Sequence, residues 1–265
     1  MKSSFFFEFI SGMSNKINSE NMQFIMKFAN TVEEENKAYE NIIKIQKVDK
    51  IILHNLKKKD SRIDLLKKNK INFVGWGRTQ GKIDYPWVDL DNEGSMDLIM
   101  NYLTLKNHKH IVFVNVDERY NFAYQRKKGY LNFLKKNRIE FKKNYYLSVN
   151  NEDPAQISLL IKRLLSQNSK ITAIIGSTEY SAAAAIKACN QLNRKIGKNI
   201  SIITFDGSIV NSISSPSLTA VTHDRKKLGS KAIEILTSKN KNRNELNYLA
   251  KPKIIERGSV HFVKL

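Results

Sequence analysis

Three carboxylates stand two residues apart in the segment DYPWVDLDNEG (84–94): Asp89, Asp91 and Glu93. Carboxylates clustered in this way can bind a hard cation such as Ca²⁺, or can act as the acid and base of glycoside hydrolysis. However, the segment lacks the glycine-centred turn of a calcium loop. Strand neighbours also do not supply two carboxylates at glycosidase separation around one pocket. We therefore favour local structural roles for these side chains.

The same segment is typical of a passage from one subdomain to the next. Pro86 lacks a backbone donor and restricts the residue before it, so the strand WVDLD (87–91) is expected to start abruptly after a loop. Asp91 or Asn92 is then placed to cap the following helix, and Glu93 is favoured in its first turn. We predict that Asp91 and Asn92 form a hinge and a helix cap, not a catalytic or metal site.

Sequence signatures of other chemistry are sparse. The chain has no Walker loop, GxSxG elbow or HExxH helix, and GWGRT at 75–79 lacks the glycine spacing of a dinucleotide fingerprint. His108 and His110 flank a predicted helix-to-strand turn, where capping is a simpler role than metal binding. Cys189 lies in the Ala-rich stretch AAAAIKAC and is expected to be a small buried filler. We expect no metal, no cofactor and no enzymatic activity.

Strand-like apolar runs alternate with helix-periodic segments along nearly the whole chain. Strands are predicted at 23–29, 50–55, 72–77, 87–91, 110–116, 173–177, 200–206, 218–224 and 253–258. Helices are predicted near 5–18, 32–47, 60–69, 93–107, 120–138, 153–167, 179–193 and 225–238. This alternation predicts an α/β fold with parallel sheets covered on both faces. About nine strands are more than one compact doubly wound sheet usually contains. We therefore predict two doubly wound parallel-sheet subdomains joined by crossover strands.

Polar and aromatic residues gather at or just after the carboxyl ends of the predicted strands, where open α/β sheets bind their ligands. These residues are His54, Trp76, Asn121, Phe122, Arg126, Thr178, Glu179, Asp206 and His223. Charged and amide groups bind vicinal hydroxyls in pairs, and aromatic rings cover the apolar faces of a sugar. Each residue alone could equally be a cap or a surface position. Their shared location predicts a site for a polyhydroxylated ligand.

The 265 residues have a net charge of +20, which raises the question of nucleic-acid binding. The basic clusters are spread over the whole chain, and we interpret them as solvated surface. Direct, sequence-blind binding of nucleic acid stays open as an alternative. No apolar run approaches the roughly 20 residues of a membrane span, and Glu8 interrupts the apolar patch near the N-terminus, unlike a signal peptide. With a single cysteine, we expect a cytoplasmic location and no membrane contact.

Four stretches of the sequence resemble the effector-binding core of the LacI/GalR transcriptional regulators, which has the periplasmic-binding-protein fold. They are SSFFFEFISGM (3–13), GRTQGKIDYPWVDLDNEG (77–94), NFAYQRKKGY (121–130) and ISIITFDGSIVNSISSPSLTAVTHD (200–224). The second stretch is most similar to members associated with α-glucoside-type regulation. The order of the stretches matches the family over nearly the whole chain. The resemblance implies one subdomain from residues 1–91 and 222–246, and another from residues 92–221 and 247–265.

The resemblance also implies roles for single residues. Arg126 corresponds to the helix arginine that binds ligand hydroxyls, Asp206 to the strand-end aspartate that accepts from the ligand, and His223 to a position where the family often has Gln. The remaining matches are pocket-lining positions: Phe5, Phe6, His54, Trp76, Asn121, Phe122 and Thr178. Thr178-Glu179 stands where many members have Asn-Asp, and Gly207 replaces the usual second Asp or Asn. These departures leave the identity of the ligand open.

The family resemblance implies the sugar-sensing core of a repressor that acts as a homodimer. A small carbohydrate in the cleft between the subdomains would favour their closure and change the affinity of paired headpieces for operator DNA. The family's helix-turn-helix headpiece, hinge helix and first β-strand, a central strand of the first sheet, precede the matched region and are absent from this sequence. Operator DNA is therefore expected to be bound only through such a domain. A sugar-binding protein of a transport system is the alternative, which a signal peptide would favour.

Overall fold

The computed structural model describes residues 4–19, 22–29, 31–45, 48–150, 153–207, 209–239 and 246–264. Its helices are α1 (Ser4–Ser19), α2 (Val32–Lys44), α3 (Ser61–Lys68), α4 (Asn92–Leu105), α5 (Asn121–Lys136), α6 (Pro154–Gln167), α7 (Glu179–Gln191), α8 (Ile209–Ile213) and α9 (Arg225–Thr237). Its strands are β1 (Lys50–His54), β2 (Asn72–Trp76), β3 (Trp87–Leu90), β4 (Ile111–Val116), β5 (Tyr146–Val149), β6 (Ala173–Gly176), β7 (Ser201–Phe205), β8 (Thr219–Thr222), β9 (Asn247–Ala250) and β10 (Lys253–Ile255). No helix in these ranges is both long and apolar enough to cross a membrane.

The chain forms two compact units, each built from separate stretches. The four-stranded unit consists of Phe6–Asp89 and Arg225–Leu249, and the six-stranded unit consists of Met1–Phe5, Leu90–Asp224 and Ala250–Leu265. After α1, the chain therefore passes from one unit to the other at Asp89, Asp224 and Leu249. The sheets are mainly parallel, which confirms the predicted α/β class. The subdomain bounds implied by the resemblance remain a prediction.

The sheet of the six-stranded unit has the order β10-β8-β7-β6-β4-β5, and only β10 runs antiparallel to its neighbour. All six residues of β4 (IVFVNV) are buried, as expected for a parallel strand covered on both faces. Val112 and Val114 belong to the core on the side of α6 and α7, whereas Ile111 and Phe113 belong to the core on the side of α4 and α5. The alternation of side chains along the strand thus supplies both cores.

The sheet of the four-stranded unit has the order β1-β2-β3-β9, with β1, β2 and β3 parallel. Leu53, Leu66 and Phe73 belong to its core. Helices α1 and α9 approach each other closely at two glycines. A Cβ on Gly229 would lie 2.0 Å from the Phe9 carbonyl oxygen, and one on Gly12 would lie 1.9 Å from a carbonyl oxygen of α9. These positions need residues without a side chain because backbone atoms occupy the space.

The predicted strand at 23–29 is wrong. Residues 22–29 form neither helix nor strand, and Phe24, Ile25 and Phe28 are exposed by 42%, 54% and 60%. Strand propensity is not sufficient without a neighbour that accepts the backbone hydrogen bonds. Strand β1 is an edge of its sheet within the described part of the chain, so residues 22–29 do not pair with its open side.

Four short elements were not expected from the sequence: β5, β9, α8 and a 3₁₀ helix at Lys143–Tyr145. Strand β5 has only four residues and lies at the edge of its sheet next to β4, with its first three residues incompletely buried. Strand β9 likewise has four residues beside β3. Such short edge strands lack the continuous apolar run that marks a central strand, so periodicity does not reveal them.

Candidate functional site

The predicted site residues form two groups, one in each unit. The six-stranded unit contains an arginine group, which we define as Asp91, Asn92, Asn121, Phe122, Arg126, Thr178, Asp206 and His223. The four-stranded unit contains an aromatic group, which we define as Phe6, His54 and Trp76. Phe5 was also predicted to line the site and lies in the first turn of α1, but its side chain is outside the described part of the structure.

Arg126 is the centre of the arginine group and is only 4% exposed. Its Nε donates to Asn92 Oδ1 at 2.9 Å, and one terminal nitrogen donates to the Ser177 carbonyl oxygen at 2.6 Å. The guanidinium carbon lies 3.9 Å from the centre of the Phe205 ring and 5.0 Å from that of Phe122. These contacts fix the plane of the guanidinium, whose donor fork suits paired oxygen ligands.

The predicted hinge residues hold the start of α4. Asp91 is the N-cap, since its Oδ1 accepts from the Gly94 backbone N–H at 3.0 Å. Asn92 is buried, and its Nδ2 donates to the Leu90 carbonyl oxygen at 3.1 Å and to Gln125 Oε1 at 3.0 Å. Because Asn92 also accepts from Arg126, the end of β3 and the guanidinium are linked through one amide. The structure thus selects Asp91 as the cap, and the hinge role stays a prediction.

His223 follows β8 and is 6% exposed. The Ser95 hydroxyl donates to the Asp91 carbonyl oxygen at 2.6 Å, so its lone pairs face the His223 Nε2 atom 3.0 Å away. His223 Nε2 is therefore the donor in that bond, and in a neutral imidazole Nδ1 is then the acceptor. The tautomer of His223 is set by the first turn of α4.

Asp206 follows β7 directly and has a left-handed backbone with φ of 68°. Aspartate tolerates this conformation better than most residues, and it recurs at functional positions. Thr178 caps α7 in a reciprocal capping box with Ser181, so its hydroxyl already has a local structural role. Asn121 begins α5 and is buried, and the Phe122 ring stacks on Tyr120 with centroids 6.0 Å apart.

The aromatic group forms a packed wall at the ends of β1 and β2. His54 and Trp76 are paired in register, with ring centroids 4.1 Å apart. Phe6 of α1 lies 5.8 Å from Trp76 and 6.0 Å from His54 by the same measure. Phe9 stacks on Trp76 at 3.6 Å and 10° between ring planes. Burial, with a smaller effect of the Arg62 charge, lowers the pKa of His54 to about 4, so its ring is neutral at pH 7.

The three carboxylates of the segment 84–94, Asp89, Asp91 and Glu93, have separate structural partners. Asp89 is 4% exposed, and its Oδ2 pairs with Arg78 Nε at 2.8 Å. The Arg78 guanidinium in turn lies 4.7 Å from the Trp87 ring centre. Asp91 caps α4, and Glu93 pairs with Lys128 at 3.0 Å. The local roles expected for the three acids therefore have direct structural counterparts.

Several residues of the site were not anticipated by sequence reasoning. Ser177 directly follows β6, Phe205 is the last residue of the neighbouring strand β7, and both contact Arg126. The Ser177 hydroxyl is itself buried and has no hydrogen-bond partner among the described atoms. Asn115 lies inside the otherwise apolar strand β4, and its Nδ2 donates to the Ala123 carbonyl oxygen at 2.9 Å. A single amide within a fully buried strand was the signal available for it.

The arrangement is suited to binding. Within the six-stranded unit, Arg126, Asn121, Asp206 and His223 carry hydrogen-bond donors and acceptors, and the guanidinium of Arg126 is held in place by its contacts. Within the four-stranded unit, the aromatic group packs its rings against one another. Placed polar groups and apolar walls are the two features that sites for small polar ligands use.

A family comparison agrees with this picture. Residues 100–260 match the model of the periplasmic binding protein-like domain, which is more than half of the chain. The chain belongs to the periplasmic-binding-protein-like family. The resemblance to the core of LacI-type regulators is likewise confirmed by its homologues.

Similar proteins give the relationship in more detail. The HTH-type transcriptional regulator AglR of Rhizobium meliloti (strain 1021) is 28% identical over 203 residues, which cover 76% of this chain and 56% of AglR. A putative LacI transcriptional regulator from Bacillus cereus subsp. cytotoxis superposes with a TM-score of 0.90 at 22% identity, covering 99% of this chain and 94% of that one. A transcriptional regulator CelR–cellobiose complex gives a TM-score of 0.87 at 17% identity, covering 96% and 79%.

The names of these relatives indicate the kind of protein in which this domain occurs. They are transcriptional regulators and not enzymes, in agreement with the expectation from the sequence. The chain spans about half the length of AglR, so it corresponds to the effector-binding part of such a regulator. The structural neighbours show that its fold is that of LacI effector domains.

Proposed function

We propose that this chain is the ligand-sensing and dimerisation core of a LacI-type DNA-binding regulator, and that its effector is a small carbohydrate. The family resemblance implies that the carbohydrate lies in the cleft between the two subdomains. Its binding would favour one arrangement of the subdomains and so control the affinity for operator DNA. The observation that carries the proposal is the buried, oriented guanidinium of Arg126.

The Arg126 guanidinium is an argument for a hydroxyl-rich ligand because protein contacts already hold this group in position. Asn92 and the Ser177 carbonyl hold two sides of the group, and Phe205 holds its face. A preorganised donor fork spends less entropy on binding and matches pairs of adjacent oxygens. Asp206, Asn121 and His223 would add acceptors and donors around the same ligand.

The aromatic group supports a carbohydrate over other polar ligands. The rings of Phe6 and of the neutral His54, which pack beside the buried Trp76, are only partly buried and would cover the apolar face of a pyranose. A regulator of the same fold has been solved with cellobiose, which is consistent with this class of effector. We propose that Phe5, Phe6, Phe122 and Thr178 complete the lining.

The proposal includes partners that lie outside this chain. Operator DNA would be bound by a helix-turn-helix domain, since AglR is an HTH-type regulator and this chain spans 56% of its length. Homodimerisation, which the resemblance implies, would pair two such domains. We also propose a cytoplasmic location, where operator DNA is accessible to a regulator.

Isothermal titration calorimetry with a panel of monosaccharides and disaccharides, cellobiose included, tests the proposal. We expect at least one sugar to bind. We expect Arg126→Lys and Asp206→Asn each to lower the affinity for that sugar by about tenfold or more, since each variant loses charge-assisted hydrogen bonds of about 1.5–3 kcal/mol. Because Arg126→Lys retains the positive charge, a lower sugar affinity of this variant would reflect the loss of the planar guanidinium.

Lys128→Ala serves as the matched control because Lys128 lies two residues further along α5 and pairs with Glu93 at the surface. We expect it to bind the sugar as tightly as the original chain. If Arg126→Lys and Asp206→Asn both retain full affinity, the assignment of the site is wrong. If no sugar in the panel binds, the carbohydrate proposal is wrong.

A further inference from the structure

A group of basic residues of the six-stranded unit lies at one edge of its sheet. Strands β4 to β8 are parallel, so every connection from a helix to the next of these strands lies at the amino edge. We call residues 106–110, 137–145, 168–172 and 192–200 the amino-edge segments. They contain one acidic residue, Glu140, and nine basic residues: Lys106, Lys109, Arg138, Lys142, Lys143, Lys170, Arg194, Lys195 and Lys198.

The opposite edge has the reverse charge. The connections from strands to helices lie at the carboxyl edge, and their described residues include a single basic one, Arg119. The acidic residues there are Asp117, Glu118, Asp153, Asp206 and Asp224. Lysines in the last turn of a helix are favoured by the helix dipole, but Lys109 and Lys142 lie outside the helices, and Lys143 is the first residue of the short 3₁₀ helix Lys143–Tyr145. Helix capping therefore does not account for the asymmetry.

Most of the amino-edge cations lack an acidic partner. Lys106 pairs with Glu256 at 2.7 Å, and Arg194 donates to the carbonyl oxygens of Ile171 and Asn199. The remaining seven are exposed and form no ion pair within 4.0 Å with any residue that the structure describes: Lys109, Arg138, Lys142, Lys143, Lys170, Lys195 and Lys198. Their mutual repulsion is relieved only by water, salt or an anionic partner.

Three of the segments meet at His110. Asn168 Nδ2 donates to the Tyr145 hydroxyl at 3.0 Å, and this hydroxyl lies 2.9 Å from His110 Nδ1, so it donates to that nitrogen. The neutral ring then has its proton on Nε2. Burial lowers the pKa of His110, and the charges of Lys142, Lys170 and Lys109 lower it further. The hydrogen bonds of Tyr145 thus join three of the amino-edge segments, and each of these segments carries at least one exposed lysine.

The dimensions suit a nucleic-acid backbone. The segments precede four strands that are neighbours in the order β7-β6-β4-β5, which at about 4.8 Å per strand span about 14 Å. A duplex carries one phosphate charge per about 1.7 Å of its axis with both strands counted, so this length of duplex contains about eight phosphates, about four on each strand. Phe141, exposed by 42% beside Lys142, adds a ring on which a base can stack. A row of cations with an aromatic ring fits this regular polyanion better than an acidic protein surface.

We propose that the amino edge of the six-stranded unit binds nucleic acid through its phosphates, without sequence preference. Such binding is separate from the carbohydrate site and from operator recognition. It would hold the regulator near DNA between encounters with its operator, because backbone contacts allow a protein to slide and hop.

Fluorescence anisotropy with labelled 24-nucleotide single strands and 24-base-pair duplexes of random sequence tests the proposal between 50 and 200 mM NaCl. The triple variant Lys109→Gln, Lys142→Gln and Lys170→Gln removes one ammonium group from each of the three segments that meet at His110. We expect at least about tenfold weaker binding at 50 mM NaCl, and a slope of log K against log [salt] reduced by about 2 to 3.

The control is the triple variant Lys162→Gln, Arg163→Gln and Lys187→Gln, which removes the same charge from the middle of α6 and α7. We expect its slope to change by less than about 1. Circular dichroism and a thermal melt confirm that both variants are folded. The proposal is overturned if the original chain does not bind at 50 mM NaCl, if both triples weaken binding equally, or if polyglutamate of equal charge competes as well as DNA.

Discussion

At the scale of single residues, Asp91 shows how a local role can account for a chemical-looking pattern. Its carboxylate accepts from the Gly94 N–H and so satisfies one of the unpaired donors at the start of α4. Its ion pair with Lys251 at 3.3 Å involves a lysine side chain that is 76% exposed and contributes little. The cap, and not the charge, is therefore the main contribution of Asp91 to stability.

This assignment predicts different effects for two substitutions. Asp91→Ala removes the cap and should lower the free energy of unfolding by about 1 kcal/mol. Asp91→Asn retains a side-chain oxygen for Gly94 and loses only the ion pair, so it should cost less than about 0.5 kcal/mol. Urea denaturation followed by circular dichroism measures both. Equal destabilisation by the two variants would show that the charge matters more than the cap.

Single residues also mark the limit of what the sequence revealed about the candidate site. Arg126, His54 and Trp76 were located correctly at strand ends or one turn beyond, because the carboxyl ends of parallel strands are recognisable from apolar runs. Ser177 and Phe205 were missed, since one acts through its backbone carbonyl and the other through its ring face. Neither function depends on a residue type that sequence reasoning associates with ligand binding.

At the scale of elements, the contact between α1 and α9 depends on two residues without side chains. Gly229 faces the Phe9 carbonyl oxygen, and backbone atoms cannot rotate away as a flexible side chain can. The two helices must therefore separate to accommodate any larger residue. Their contact belongs to the four-stranded unit, whose sheet also packs against α9.

We expect Gly229→Ala to lower the free energy of unfolding by about 2 kcal/mol or more, although alanine is the better helix former. The measurement is urea denaturation at 25 °C. Ser230→Ala, at the next and exposed position of the same helix, is the control and should be neutral or slightly stabilising. An unchanged stability of Gly229→Ala would mean that the helices do not pack as closely as described.

Elements also show which parts of the fold the sequence could predict. The buried run of β4 and the helices that flank it were anticipated because periodicity reports burial on one face or two. The run at 23–29 has the composition of a strand but pairs with no neighbour. Strand formation depends on pairing with another segment, which the composition of the run itself does not reveal. The amino-edge lysines looked scattered because their proximity follows from sheet order, which sequence spacing does not contain.

At the scale of the whole molecule, four of the five histidines are adapted to the neutral state. Burial lowers the pKa of His54 and of His108 to about 4, and it lowers the pKa of His110 and His261 as well. His108 is 1% exposed and is held by Thr172, Ser201 and the His261 carbonyl. In the unfolded chain, each histidine titrates near 6.5.

The molecule should therefore lose stability in mild acid. Between about pH 6.5 and pH 4 the unfolded chain binds protons that the folded protein does not, so the free energy of unfolding falls as the pH falls. His108 alone would contribute up to about 3 kcal/mol of this loss once the pH is below 4. Urea denaturation at pH 7 and pH 5 measures the change. His108→Gln should make the free energy of unfolding less dependent on pH. If the difference between pH 7 and pH 5 is unchanged in this variant, His108 is not the main source of the loss of stability.

The three passages of the chain between units also determine when each unit can be completed during synthesis. The four-stranded unit needs α9, whose Gly229 meets Phe9 across more than 200 residues of sequence. The six-stranded unit needs the segment after β10, where the Ser259 carbonyl accepts from the Ile202 N–H at 3.0 Å. On a ribosome, therefore, neither unit can close around its core until residues 225–265 have emerged. A synthesis that stalls before residue 225 therefore yields two unfinished cores, whose exposed apolar surface favours aggregation.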